Sequence, residues 1–193
     1  MAEPKSKSTV ESVKDAIVGS IRGTGEIASA VVDTVSGTLV QAIKGTGAVG
    51  TAITGIVSDV LRGAIQGTAQ VGGDVGAAAK AALLGVLRGT KEVGVEASEA
   101  ISASASAVVK ATAEVGGDVA KAARSAVEGA IAGAKELGLN AEAVATAAAT
   151  GALKGAGEIS TTAVNQVRDV VTGTISGVKV VVKEPFKSKK GRG

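Results

Sequence analysis

The sequence has no cysteine, histidine, tryptophan or tyrosine, one phenylalanine (Phe186) and one methionine (Met1). Without a thiol or an imidazole it has no zinc site of the usual kind, no Ser-His triad and no iron–sulfur cluster. The remaining carboxylates recur at fixed intervals, the pattern of a solvated face. We therefore expect no catalytic, cofactor-binding or metal-binding residue and read the chain as non-enzymatic. The lack of cysteine removes any disulfide framework and fits a reducing, cytoplasmic setting. The first nine residues contain no apolar run of the kind a signal peptide needs.

Proline is confined to Pro4 and Pro185, so nothing in the 180 residues between them forbids helix. Long apolar runs are missing as well. The longest charge-free stretch inside this region, Gly45 to Ser58, is 14 residues, short of the ~18 to 20 that cross a bilayer, so no transmembrane span is expected. The net charge is +3, but residues 183–193 alone carry +4 and residues 1–9 carry +1, which leaves −2 for residues 10–182. Lys187, Lys189, Lys190 and Arg192 form a flexible basic tail. With the positive charge there and no stacking aromatics, no specific nucleic-acid partner is expected.

What the chain does contain is one pattern repeated every 22 residues. Ile21-Arg22-Gly23-Thr24 returns as Ile43-Lys44-Gly45-Thr46, Ile65-Gln66-Gly67-Thr68, Leu87-Arg88-Gly89-Thr90, Val109-Lys110-Ala111-Thr112, Ile131-Ala132-Gly133-Ala134 and Leu153-Lys154-Gly155-Ala156, with a decayed copy at Ile175-Ser176-Gly177. A fixed period of this length marks a repeat architecture, in which each unit buries its apolar surface on a neighbour or a shared partner. Within a unit the apolar positions Ile21, Ala28, Val31, Val35, Leu39 and Ala42 advance mostly by threes and fours, which is helical spacing. The chain divides into a polar leader (1–9), a helical repeat region (10–182) and a basic tail (183–193). The expected fold is all-α: eight amphipathic repeats of two elevens each, with no β-sheet domain.

Twenty-two residues make six turns at about 3.67 residues per turn, so the apolar stripe runs straight along the helix. A continuous helix over 10–182 would reach roughly 260 Å. The alternative is a series of hairpins, for which two breaks are available. One lies at Lys44-Gly45-Thr46 and Arg88-Gly89-Thr90, as a glycine C′ residue followed by a Thr cap, and the placement of acids early and bases late favours it. The other lies at Gly72-Gly73-Asp74, Gly94-Val95-Glu96, Gly116-Gly117-Asp118 and Gly138-Leu139-Asn140. Residues 10–182 hold 26 of the 28 glycines, and at about 1 kcal/mol each relative to Ala an isolated helix does not survive. Burial must come from an apolar surface, from other copies or from a folded-back bundle.

The candidate surface is a stripe of Ile21, Ile27, Ile43, Val49, Ile65, Val71, Leu87, Val93, Val109, Val115, Ile131, Leu137, Leu153 and Ile159. Gly23, Gly45, Gly67, Gly89, Gly133 and Gly155 are candidate points of close helix–helix packing.

Leu87-Arg88-Gly89-Thr90-Lys91-Glu92-Val93 and Val170-Val171-Thr172-Gly173-Thr174-Ile175-Ser176-Gly177, with Arg62-Gly63-Ala64, resemble the Val-, Thr- and Gly-rich eleven-residue repeats of the perilipins. Gly89-Thr90-Lys91-Glu92-Val93-Gly94 is similar to the synuclein repeat. The resemblance covers the repeat region in style and these short runs in wording. It implies helices that form on a lipid droplet or vesicle, and hence a coat for an apolar particle; the phasins of polyester granules are related by role. We therefore expect a peripheral coat or structural protein at the surface of a lipid droplet, membrane or storage granule in the cytoplasm. The alternative is a self-assembling helical filament or bundle, a homo-oligomer with no lipid partner. Replacing Ile43, Ile65, Leu87 and Val109 with Ser is expected to abolish particle binding or assembly, since burial of each large aliphatic contributes ~1.5 to 3 kcal/mol. The same number of changes at Lys44, Gln66, Arg88 and Lys110 should do little, as judged by flotation or sedimentation.

Overall fold

The computed structural model describes residues 8–47 and 50–182. Along that chain, left-handed glycines mark the reversals: Gly25, Gly47, Gly50, Gly72, Gly94, Gly116 and Gly138 all have φ between 60° and 72°. Between them lie α1 (Thr9–Thr24), α2 (Ile27–Thr46), α3 (Thr51–Gln70), α4 (Val75–Val93), α5 (Ala97–Glu114), α6 (Val119–Leu137), α7 (Ala141–Gly157) and α8 (Thr161–Val171). A short antiparallel hairpin follows, β1 (Gly173–Ile175) and β2 (Val178–Val180). The fold is all-α, and of the two expected forms the chain adopts hairpins, not one long helix.

Four of the turns share one chemistry. The N–H groups of Gly72 and Gly73 donate to the carbonyls of Ala69 and Thr68, and the pattern recurs at Gly94-Val95, Gly116-Gly117 and Gly138-Leu139. This is the Schellman arrangement, which satisfies the last carbonyls of a helix and requires a left-handed C′ residue. Asp74, Asp118 and Asn140 then cap the next helix, their side chains accepting from Gly76 and Ala77, from Lys121 and from Ala143. The break at the double glycines is therefore the one used. The dipole argument fails at Arg88-Gly89-Thr90, which lies inside α4, whereas Lys44-Gly45-Thr46 closes α2 and the break follows at once, at left-handed Gly47. Their threonines are not caps: Thr46, Thr68, Thr90 and Thr112 turn their hydroxyls back to the carbonyls of Ala42, Ala64, Val86 and Val108 in the preceding turn. The decayed eighth copy at Ile175 is likewise not helical. It forms the hairpin, where Ser176 (φ 48°) and Gly177 (φ 80°) make the turn, and α1 begins at Thr9, inside the stretch assigned to the leader.

Each connection of two to four residues folds one helix back on the last, so that Ser12 and Ala16 early in α1 share a cleft with Thr38, Gln41 and Ala42 late in α2. The most extensive packing, however, is between helices two apart: α1 on α3, α2 on α4, α3 on α5, α4 on α6 and α5 on α7. Odd helices thus form one layer and even helices the other, with the core between them. Within a layer neighbours are parallel, and glycine sets how near they come. Gly63 and Gly67 of α3 lie over Val10, Val13, Lys14 and Ile17 of α1, and Gly85 and Gly89 of α4 lie over Val32, Val35, Ser36 and Leu39 of α2. Gly129 of α6 and Gly151 of α7 come so close to the carbonyls of Lys80 and Ser102 that a Cβ would meet backbone oxygen. Such positions cannot yield by rotating a side chain. Gly129→Ala and Gly151→Ala should each lower the unfolding free energy by about 1 to 3 kcal/mol. Gly37→Ala, inside α2 with open space beside it, should raise it by up to about 1 kcal/mol; urea melts followed by circular dichroism will separate the two classes.

Candidate functional surfaces

The predicted stripe lies inside the molecule. Ile21, Ile43, Ile65, Leu87, Val109, Ile131 and Leu153 are buried between the layers. Ile27, Val71, Val93, Val115 and Leu137 are half-buried against that core, and Ile159 is 38% exposed. Val49 lies outside the described residues, as do Lys187, Lys189, Lys190 and Arg192. A stripe reserved for an outside surface would be bare; here the opposite layer covers it, because each turn brings the stripe of one helix to face that of the next.

Of the candidate packing glycines, Gly67, Gly89, Gly133 and Gly155 are close-packed, but Gly23 and Gly45 have nothing within 4 Å. The difference is position in the stack, since α1 and α2 have no helix two before them. A second glycine column four residues earlier, at Gly63, Gly85, Gly129 and Gly151, carries contact of the same kind and was missed. It was visible as another 22-residue spacing on the same helical face. In α5 both positions are alanine, Ala107 and Ala111, and a cleft of about 430 Å³ lined by Ser58, Ser102, Ser106, Ala107 and Lys110 runs beside the first of them.

The polar columns lie on a solvated face, as expected, and from there they also join neighbouring helices of one layer. Lys44 reaches Glu92 at 3.2 Å, Arg88 grips Glu136 with two bonds of 2.8 and 3.0 Å, and Lys110 meets Glu158 at 2.8 Å. Each pair is 48 residues apart, two units plus one helical turn. Arg62 grips Glu114 at 2.6 and 2.9 Å, taking the acid that Gln66 has no charge to hold. Asp74 both caps α4 and receives Lys121 at 3.2 Å. All these groups are substantially exposed and screened by solvent, so they set which helix lies beside which more than they add stability.

The Lys121 ammonium, with the N–H groups of Ala77 and Gly76, holds the Asp74 carboxyl below its ordinary range. Arg88 does the same to Glu136, and Glu136 in turn raises Arg88.

No protein-family model matches the chain, and no curated protein matches it in sequence. Among the described residues no helix is long and apolar enough to cross a membrane. The surfaces the fold presents are the outer faces of two layers, an end formed by α1 and α2, and an end formed by α7, α8 and the hairpin.

A carboxyl whose pKa is lowered on folding stabilises the fold above the unfolded carboxylate value of about 4 and loses that contribution as pH falls through the lower folded value. Glu136→Gln and Asp74→Asn, the second of which keeps a capping oxygen, should therefore narrow the gap in urea midpoint between pH 7 and pH 3. An unchanged gap in both variants would show that these pairs do not form in solution.

Proposed function

We propose that the protein is a non-enzymatic structural protein that acts as a folded, self-associating helical stack. The observation that carries this reading is the burial of the apolar stripe by the chain's own second layer. A coat protein keeps such a stripe for its particle, whereas this fold uses it up without any outside partner. The glycine cost points the same way. Nine glycines sit in left-handed turns, where they are required, and Gly63, Gly67, Gly85, Gly129, Gly133, Gly151 and Gly155 are where helices touch. The penalty is absent for the glycines in turns, and at the contact positions it is offset by the close packing that glycine permits.

The second reading is a lipid-droplet or granule coat in which the layers part and the stripe turns outward. It is favoured by the unbroken 22-residue phase, which would align all the stripes if the turns straightened. Folded stack and spread coat use the same side chains and exclude each other. The purified full chain in buffer should already be helical by circular dichroism and should melt cooperatively, with no gain of helix on adding triolein droplets or neutral phosphatidylcholine vesicles, and it should not float with them. Helix that appears only with the droplets would reverse the order of the two readings.

A further inference from the structure

The two ends of the stack are not alike. At the C-terminal end α8 is short, and the chain turns into the hairpin, whose β2 lies against α7 with Ile175 and Val180 buried. That end is capped, as the last unit of a stacked-repeat protein must be. At the other end, Gly19 and Gly23 of α1 and Gly45 of α2 have open space beside them. They stand 44 residues before Gly63, Gly67 and Gly89, which nest on the helix two before. The face that receives a helix elsewhere in the stack is present here, and no helix among the described residues covers it.

Resting on the reading of a self-associating stack, the geometry points to a second copy of the chain as the occupant, docked through the same end, in a two-fold dimer that pairs α1 with α1 and α2 with α2 antiparallel. Two features select this arrangement. First, the hairpin occupies the far end, so head-to-tail growth has no matching surface. Second, the charges complement themselves under a two-fold rotation. Glu11 and Arg22 are exposed and eleven residues apart, three turns along one line of α1. Antiparallel pairing brings each Arg22 to the other copy's Glu11. Asp33 and Lys44 have the same spacing and exposure on α2, but both already face α4 within the chain, Lys44 at Glu92 and Asp33 toward Arg88. Arg22 has no such partner: the residue 48 places on, where the other bases find a glutamate, is Gln70. Such an isologous contact closes at two copies.

The test is sedimentation equilibrium of the full chain across a wide concentration range, with circular dichroism beside it. The expected species is a dimer of twice the 18.5 kDa chain mass. Gly19→Gln with Gly23→Gln should give monomer with unchanged helix content, since both side chains enter open space. Gly55→Gln, at an open position on α3 and so away from the end formed by α1 and α2, should leave the dimer intact. Arg22→Glu alone and Glu11→Arg alone should each weaken self-association by about tenfold or more. An equimolar mixture of these two should recover a heterodimer, because both contacts then pair opposite charges, and a head-to-tail contact, which does not bring these sites together, would not recover. Species that lengthen with concentration would overturn the two-fold dimer and leave the self-associating stack standing. A folded chain that stays monomeric throughout would overturn both, and a chain without helix in buffer would point to the stack reading as the failure.

Discussion

The closest contacts in this protein are between backbones, where two glycines four residues apart let a helix settle onto the one two places before it. That approach fixes the spacing within a layer, and other features depend on it. With neighbours so close, the base near the end of one helix lies within reach of an acid near the end of the next, so charges that would have been independent become a ladder. The layers can then be built from small residues, since Ala and Val fill the narrow space that remains. In α5, where alanine stands at the glycine position 107, a cleft lies beside the helix.

The turn is the second element of this design, and it works through the same residue for a different reason. A left-handed C′ glycine lets the helix end in a Schellman pair of bonds, and the following Asp or Asn starts the next helix at once. The reversal is complete in three or four residues and leaves few backbone groups without a partner. The only buried side-chain hydroxyl without a hydrogen bond among the described residues is that of Thr150.

Helical spacing, the 22-residue period and the positions of most breaks were legible because each rests on local chemistry: runs of threes and fours, Gly-Gly-Asp, Gly-Leu-Asn. The destination of the stripe was not. A straight apolar line suits a flat particle and a facing helix equally well, and the pattern of Ile65, Leu87 and Val109 is the same in both. What decides is whether the turns close, which depends on contacts between residues some fifty positions apart. The partners of the glutamate columns were hidden for the same reason. Glu92 and Glu136 look like solvent-facing residues of their own helices, and only the stacking brings Lys44 and Arg88 beside them. The hairpin was partly legible, since the β-branched run from Val178 marked a change of character, but its role as a cap follows from where α8 leaves the chain.

The layered order also bears on how the chain comes to be folded. Every extensive contact joins helices one or two places apart, and no proline stands between Pro4 and Pro185 to impose a slow isomerisation. A chain emerging from the ribosome can therefore dock each helix as soon as it appears, needing nothing from the part still to be made. The structure is read out in the order it is written, with the capping hairpin added last, so a chain cut short by a hairpin's length or more would keep its finished layers and expose a second unfinished end.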